Sequence, residues 1–241
     1  MKIIKPNQAL DTGKKQQVEQ MFDDIAAKYD LLNRSLSMGI DVQWRKKTIN
    51  SLKEVSPKSI LDVATGTADL AIEALRLNPE KVVGVDLSAQ MLEFGQRKLE
   101  KKNLTDKIKL VKGDSEKLPF SDRSFDAVTV AFGVRNFENL QSGIDQMYRV
   151  LRPGGKIAVL EFSKPKGFPV KQVYNFYFSY ILPTLGGAVS KSKDAYTYLP
   201  ESVKHFPEGE EFTAYLQKAG FKNTTIKKLT FGICSLYTGI K

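Results

Sequence analysis

Residues 59–69, SILDVATGTAD, and residues 82–88, VVGVDLS, decide how this 241-residue chain is expected to fold. The first stretch starts as a short apolar run, breaks into a turn-prone loop at Ala64–Thr67, and continues with helical spacing. The second stretch is another apolar run, and it ends in an acid, Asp86. A strand, a tight loop, a helix and a second strand that ends in an acid are the parts of a nucleotide-binding, doubly wound α/β sheet.

The residues of the loop favour S-adenosylmethionine (AdoMet) over a dinucleotide. A dinucleotide fingerprint has the spacing G-x-G-x-x-G, whereas this loop contains only Gly66. Asp62, in the end of the first strand, would lie unfavourably beside a pyrophosphate but favourably beside the ammonium group of AdoMet. An acid at the position of Asp86 is suited to hold ribose hydroxyls. We therefore predict that Asp62, Gly66 and Asp86 contact AdoMet.

Three more residues belong to the same predicted site. In a doubly wound sheet, ligands bind beyond the carboxyl ends of the strands, and Thr67 and Asp114 follow such ends. The Asp114 carboxylate could accept a hydrogen bond from the adenine amino group, and the backbone of Ser115 could meet a ring nitrogen. The predicted cofactor site is thus Asp62, Gly66, Thr67, Asp86, Asp114 and Ser115.

Alternating strand and helix patterns continue along the chain and predict parallel pairing. Two weaker strands near the C terminus give a doubly wound, seven-stranded, mostly parallel α/β sheet, whose last strand we expect to be antiparallel. The motif RPGG at Arg152–Gly155 predicts a turn before the fifth strand. The predicted strands are Ser59–Val63, Lys81–Asp86, Ile108–Lys112, Phe125–Ala131, Lys156–Glu161, Phe221–Leu229 and Phe231–Ile240.

We expect one domain over residues 1–241, with additions at two places. Residues 1–56 are predicted to be helical, at Gly13–Asp30 and Val42–Val55, and are available to cap the cofactor cleft. Residues 164–207 are an aromatic-rich insertion on the substrate side, after the fifth strand. Its apolar stripe is typical of a packed core face, but would also suit a cover over a flat aromatic substrate; it consists of Val173, Phe176, Tyr177, Tyr180 and Ile181.

The composition limits the class of protein and of partner. A net charge of +10 favours nucleic acid, an acidic small molecule or an anionic membrane surface, unless the lysines only solvate the surface. The single cysteine, Cys234, fits a reducing compartment. No apolar run is long enough to span a membrane, and the N terminus lacks the apolar region of a signal peptide, so we expect a cytoplasmic protein.

The residues after the fourth strand indicate the reaction. Enzymes that methylate the exocyclic amine of a base often have Asn/Asp-Pro-Pro-aromatic there, whereas this chain has AFGVRNF at Ala131–Phe137. Arg135 and Asn136 could stabilise a developing phenolate or hold a water that takes a phenol proton, although Arg135 could instead pair with an acid of a helix. The single histidine, His205, belongs to no cluster with metal-ligand spacing, so we predict no metal site.

Four stretches resemble the ubiquinone/menaquinone biosynthesis C-methyltransferases, over nearly the whole chain. YDLLNRSLSMGIDVQW at Tyr29–Trp44 is similar to the N-terminal signature of that family, and departs from it at Asp41, where a histidine is expected. RVLRPGGKIAVLEFS at Arg149–Ser163 is similar to the second signature. AFGVRNF at 131–137 and YLPES at 198–202 also resemble segments of the family.

The resemblance implies a class I AdoMet-dependent fold and methylation of a ring carbon on a reduced polyprenyl quinone. It makes Arg135 and Asn136 the pair that activates the substrate. The cofactor contacts that it implies are Thr67, Asp86, Asp114 and Ser115. Because Ala131 stands where relatives can have serine, no hydrogen bond is assigned to it.

The sequence therefore predicts AdoMet-dependent C-methylation, with AdoMet as the methyl-donor substrate and without a metal, that converts a demethylmenaquinol to menaquinol. Methylation of a benzoquinol for ubiquinone is the alternative within this class. An RNA methyltransferase and a non-catalytic AdoMet-binding protein are the alternatives from other classes. The expected partners are a lipid quinol and the inner face of a membrane, contacted peripherally, and not nucleic acid; a homodimer is an option.

Overall fold

The computed structural model describes residues 4–177 and 193–241, and a seven-stranded sheet with the order β3-β2-β1-β4-β5-β7-β6 forms its centre. Strands β1 to β5 pair in parallel, whereas β7 runs antiparallel to both β5 and β6. The predicted fold class is thereby confirmed. The strands are β1 (Ser59–Val63), β2 (Lys81–Asp86), β3 (Ile108–Lys112), β4 (Phe125–Ala131), β5 (Leu151–Phe162), β6 (Lys222–Leu229) and β7 (Cys234–Ile240).

The helices begin and end at residues whose chemistry suits these positions. The Ser88 hydroxyl accepts a hydrogen bond from the Met91 N–H at the start of one helix, and Gly220 ends another with a φ of 110°. The helices are α1 (Lys14–Ile25), α2 (Tyr29–Leu36), α3 (Ile40–Asn50), α4 (Asp69–Ala74), α5 (Ala89–Lys101), α6 (Leu140–Val150), α7 (Val170–Phe176), α8 (Lys193–His205) and α9 (Glu210–Ala219).

Helices cover both faces of the sheet, as the doubly wound pattern requires. Every residue of β1 is buried, and neighbouring residues of the strand face opposite layers. Leu61 packs on the side of α6 and α9, whereas Ile60 packs on the side of α3, α4 and α5. The order of the strands reverses between β1 and β4, so the carboxyl ends of these two strands form the crevice in which such folds bind ligands.

Several predicted elements differ from the structure. The predicted helix Val42–Val55 is α3 (Ile40–Asn50), and the predicted strand Phe231–Ile240 begins only at Cys234, after a 3₁₀ turn at Thr230–Gly232. The predicted helix Gly13–Asp30 is divided into α1 and α2 by a 3₁₀ turn at Ala26–Lys28, which lets α2 turn over the loop after β1. The predicted turn Arg152–Gly155 lies inside β5, at a bulge where the strand's pairing with β4 skips from Leu151 to Lys156. The residues between Leu151 and Lys156 bulge out of the pairing, and the strand then continues, because Gly154 adopts a φ of 78°.

The prediction that the apolar stripe of the insertion packs as a core face is wrong for Val173 and Phe176. Val173 and Phe176 are 65% and 58% exposed, whereas Tyr174, outside the predicted stripe, is the buried residue of α7. Tyr180 and Ile181 lie outside the described residues. Among the described residues, no helix combines the length and apolar character needed to cross a bilayer.

Candidate active site

The loops after β1 and β4 are built on left-handed backbone. Ala64, Gly66 and Ala68 have φ values of 52°, 55° and 69°, and Phe132 has a φ of 58°. Residues other than glycine rarely adopt this conformation, and such strain concentrates at binding sites. A Cβ added to Gly133 would lie 2.6 Å from the Cβ of Ala64, so the two loops approach as closely as a glycine permits.

A first cleft opens between these loops and α1, with a volume of about 720 Å³ when its solvent-open part is included. Four of the six predicted cofactor residues line it, namely Gly66, Asp86, Asp114 and Ser115. The rest of its wall combines apolar side chains with four charged ones, and includes Val18, Phe22, Leu87, Met91 and Phe137 as well as Lys15, Glu19, Glu116 and Glu138. The structure thus brings together the carboxyl ends of three strands, as the sequence predicts.

Asp86 is held in place by backbone groups of the loop after β1 and of the start of α5. Its carboxylate accepts hydrogen bonds from the Gly66 N–H at 2.7 Å and from the Ser88 N–H at 2.9 Å. Burial raises the pKa of Asp86, and these hydrogen bonds oppose that rise. Each carboxylate oxygen can accept more than one hydrogen bond, so Asp86 keeps the capacity to accept from a pair of ribose hydroxyls.

Asp114 is engaged by α1 across the cleft. One carboxylate oxygen accepts from the Glu116 N–H at 2.8 Å, and the other lies 2.7 Å from the Lys15 Nζ. Ser115 lies beside it in the wall of the same cleft. Lys15 is a contact that the sequence reasoning missed, because nothing in the spacing of the N-terminal segment relates it to Asp114.

Asp62 and Thr67 lie beneath the loop and not on the wall of the cleft. Asp62 is 1% exposed and accepts hydrogen bonds from the hydroxyls of Thr65 at 2.6 Å and Thr129 at 2.7 Å. Burial raises the pKa of Asp62 to about 6. The Thr67 hydroxyl donates to Asp30 in α2. In this geometry both residues brace the loop, and their contacts with AdoMet stay a prediction.

The N-terminal helix α1 is fixed over the cleft by buried polar contacts. The Lys14 Nζ donates to the backbone oxygens of Arg135 at 2.9 Å and Phe137 at 2.7 Å. The Ser88 hydroxyl donates to Asp23, also in α1. Burial lowers the pKa of Lys14 to about 8, and repulsion from Arg135 adds to this effect. The first cleft therefore has a roof that is attached to the loop carrying Arg135.

A second and larger pocket adjoins the first. It has a volume of about 1500 Å³ when its open part is included, and Phe22, Tyr29, Phe132 and Asn136 line both pockets. Its wall is largely aromatic and aliphatic. The Phe132 and Phe162 rings lie 4.5 Å apart between centroids, and Trp44 meets Phe162 edge-on at 6.2 Å. Flat aromatic molecules with apolar extensions suit such a wall.

Arg135 and Asn136 lie in the 3₁₀ turn Val134–Asn136, where Asn136 lines both pockets and Arg135 lines the second. The Arg135 Nη1 donates to the Glu161 carboxylate at 2.8 Å and to the backbone oxygen of Phe132. Glu161 is fully buried and also accepts from the Phe162 N–H at 2.9 Å. Burial raises the pKa of Glu161, and the Arg135 guanidinium opposes that rise. The partner of Arg135 is thus an acid on a strand.

This arrangement leaves a buried donor and a buried acceptor in one turn. Within the described part of the chain, the Arg135 Nε and the Asn136 Oδ1 have no hydrogen-bond partner. Buried polar groups without a partner cost free energy, and at a pocket wall they point to a ligand. A hydroxyl group has the lone pairs to accept from such an Nε–H and the proton to donate to such an Oδ1.

The sequence offered a signal for Glu161 that the predictions did not use. It is the only acid in the otherwise apolar end of β5, IAVLEF, and a charge in a buried strand requires a partner. No group of three or more His, Cys, Asp or Glu side chains among residues 4–177 and 193–241 is arranged to hold a metal ion.

Comparisons with known proteins agree with this geometry. A family model described as the ubiE/COQ5 methyltransferase family matches residues 10–241. A demethylmenaquinone methyltransferase from Bacteroides fragilis is 49% identical over 232 residues, which cover 96% of this chain and 95% of the relative. A ubiquinone/menaquinone biosynthesis C-methyltransferase UbiE from Geotalea daltonii is 44% identical, and the match covers 95% of this chain and 98% of the relative.

Solved structures support the fold. A SAM-dependent methyltransferase from Thermotoga maritima matches with a TM-score of 0.64 at 17% identity, covering 92% of this chain and 99% of that one. Another, from Methanococcus maripaludis, matches with a TM-score of 0.60 at 17% identity, covering 98% and 97%. These identities show the fold alone. Since the family model and the relatives cover nearly the whole chain, the chain belongs to the ubiE/COQ5 methyltransferase family.

Proposed function

We propose that this enzyme transfers the methyl group of AdoMet to a ring carbon of a reduced polyprenyl quinone, and that it converts a demethylmenaquinol to menaquinol. The observation that carries the proposal is that the first cleft, lined by Asp86 and Asp114, meets the aromatic pocket at Asn136. The relatives from Bacteroides fragilis and Geotalea daltonii have names that state related activities.

The first cleft offers groups that suit AdoMet. Asp86 would accept from the ribose hydroxyls, since its carboxylate is fixed by two backbone N–H groups and keeps free lone pairs. Asp114 and Ser115 would meet the adenine end. Asp62 and Thr67 would act indirectly, by holding the loop after β1 in its strained conformation.

Arg135 and Asn136 would activate the acceptor. AdoMet supplies an electrophilic methyl group, so the ring carbon must become nucleophilic. A quinol hydroxyl bound between the Arg135 Nε and the Asn136 Oδ1 would share its proton with the amide oxygen, while the guanidinium stabilises the developing phenolate. The adjacent ring carbon would gain electron density and form the new C–C bond as the sulfonium S–C bond breaks. Loss of the proton from that carbon to solvent water then restores the aromatic ring, and S-adenosylhomocysteine is left as the second product.

The aromatic pocket would hold the ring and the start of the isoprenoid tail. Trp44, Phe132 and Phe162 supply flat apolar surface beside Asn136. A substrate with such a tail resides in a membrane, so we propose that the enzyme works on the cytoplasmic side, in peripheral contact with the inner face of the membrane. The net charge of +10 supports this contact. The homodimer stays a prediction, for which sedimentation velocity is the direct measurement.

The test is a transfer assay with labelled AdoMet. The acceptors are a demethylnaphthoquinol, a demethylated benzoquinol, the oxidised form of each, and RNA. We expect label in the naphthoquinol, and little in the oxidised forms, because an oxidised ring is electron-poor. Preferential labelling of the benzoquinol would favour the ubiquinone alternative, and label in RNA alone would overturn the proposal.

A further inference from the structure

Four large apolar side chains that project into solvent belong to the lining of the aromatic pocket or lie within two residues of it in sequence. Met38 and Val173 line the pocket and are 81% and 65% exposed. Phe231, next to the lining residue Thr230, is 83% exposed, and Phe168, two residues before the lining residue Val170, is 84% exposed. We name these four the rim, consisting of Met38, Phe168, Val173 and Phe231.

The segments that carry the rim are joined to one another by hydrogen bonds. The Trp44 Nε1 in α3 donates to the Thr230 hydroxyl at 2.8 Å, which connects the segment after Met38 with that of Phe231. The Ser163 hydroxyl donates to the backbone oxygen of Gly232 at 2.8 Å, which connects the segment of Phe168 with that of Phe231. The segments that carry the rim are therefore neighbours in the fold.

Two members of the rim are presented at a conformational cost. Met38 has a φ of 50° and Phe231 a φ of 57°, values that bulky residues rarely adopt. Large apolar residues at such positions gain nothing from packing while they are exposed to water. Their presence beside a pocket mouth is typical of an interaction surface.

Basic residues outnumber acids in the segments that carry the rim, and the acids Asp30 and Asp41 flank the segment of Met38. Residues 31–40, 164–176 and 227–233 contain six Lys or Arg and no Asp or Glu. Five of these basic residues are exposed, namely Arg34, Lys166, Lys171, Lys227 and Lys228. The sixth, Lys164, reaches the backbone oxygen of Lys204, and the backbone N–H of Lys164 donates to Glu208, an acid beside these segments. Apolar tips among basic side chains match a bilayer with anionic headgroups.

We propose that the rim inserts into the surface of an anionic phospholipid bilayer, so that the mouth of the aromatic pocket opens directly onto the acyl region. The inference rests on the proposed function, and adds to it the surface through which a lipid acceptor enters. A quinol could then pass from the membrane into the pocket with less of its tail exposed to water, since the rim and much of the pocket wall are apolar.

The experiment uses the full chain and vesicles of phosphatidylcholine, with or without phosphatidylglycerol. The variant is Phe168→Ser with Phe231→Asn, because asparagine tolerates the left-handed backbone at residue 231. The matched control is Leu10→Ser with Ile226→Ser, which removes two exposed apolar side chains outside the rim. We expect the rim variant to bind anionic vesicles at least about tenfold more weakly than wild type, and the control to bind like wild type.

Activity separates this inference from the proposed function. With a water-soluble quinol bearing a short tail, the rim variant should keep its wild-type turnover, whereas its turnover of a long-tailed quinol in vesicles should fall with binding. Unchanged vesicle binding by the rim variant would overturn the inference and leave the proposed function intact. Loss of self-association in sedimentation velocity, with vesicle binding unchanged, would also overturn it and assign the rim to contact with a second copy. Absence of turnover of the short-tailed quinol by wild type would instead refute the proposed function.

Discussion

Replacement of Glu161 by glutamine tests whether the buried ion pair holds Arg135 in its working position. Glu161 is fully buried and its carboxylate accepts from the Arg135 side chain at 2.8 Å and from the Phe162 N–H at 2.9 Å. Glutamine preserves the shape and one acceptor, but it removes the charge that neutralises the guanidinium. Loss of one partner from a buried pair costs about 3–5 kcal/mol. We expect a loss near the lower end, about 3 kcal/mol, because the shape is retained.

The effect on catalysis should be confined to the chemical step. Without its partner, the Arg135 guanidinium can turn away from the junction of the two pockets, so turnover should fall by about 100-fold, as for loss of one positioned donor. The affinity for AdoMet should stay unchanged, because Glu161 does not line the first cleft. Chemical denaturation gives the free energy of unfolding, transfer kinetics give the turnover, and titration calorimetry gives the affinity for AdoMet.

A matched control is available on the surface. Glu93 in α5 pairs with Arg97, and both side chains are about half exposed or more. Glu93→Gln should lower the free energy of unfolding by less than about 1 kcal/mol. The double variant Arg135→Met with Glu161→Met should regain stability but not turnover, since an apolar pair replaces the buried charges. Two results together would refute the proposed role of Glu161: a loss of unfolding free energy in Glu161→Gln no larger than in Glu93→Gln, and turnover by Glu161→Gln at the wild-type rate.

Three further predictions concern single residues. Asp86→Ala should weaken AdoMet binding by about 1–3 kcal/mol, since buried hydrogen-bonding groups lose their partner; an unchanged affinity in titration calorimetry would remove Asp86 from the ribose site. Arg135→Ala should lower turnover and leave AdoMet affinity nearly unchanged, and full activity in the transfer assay would contradict its catalytic role. Asp62 keeps its proton up to about pH 6 in the folded state but loses it near pH 3.8 when unfolded, so its contribution to stability falls by about 3 kcal/mol as the pH rises through this interval. Asp62→Asn should lack that decline in denaturation measured across the interval, and an identical pH profile for variant and wild type would count against the raised pKa.

The strands and the ligand-binding edge of the sheet could be predicted from the sequence because both are locally encoded. Segments of five to seven residues that are rich in apolar residues predict β1 to β4 with the observed bounds. Asp86 and Asp114 follow from their positions just after or at strand ends, which parallel pairing brings to one edge. Local patterns were less informative at β5, where a Gly-rich motif that suggested a turn is accommodated as a bulge.

The contacts that shape the site depend on residues far apart in the chain. The pairing of Arg135 with Glu161 spans 26 residues, and that of Lys14 with the backbone of Arg135 spans 121. Spacing along β1 places Asp62 near the ligand end of the strand, but it does not tell whether the carboxylate faces the cleft or the hydroxyls of Thr65 and Thr129 beneath the loop. Packing decides on which side of the loop a side chain lies, and packing depends on residues that are distant in the sequence.

The most direct test of the central claim is the position of the transferred methyl group. Wild-type enzyme is incubated with AdoMet labelled with carbon-13 at the methyl group and with a reduced demethylnaphthoquinol, and the product is analysed by carbon-13 NMR. The account predicts a methyl signal on the ring carbon adjacent to a hydroxyl, with none on oxygen, and a greatly reduced signal with Arg135→Ala. A methyl group on the quinol oxygen, or an equal yield from the oxidised quinone, would contradict it.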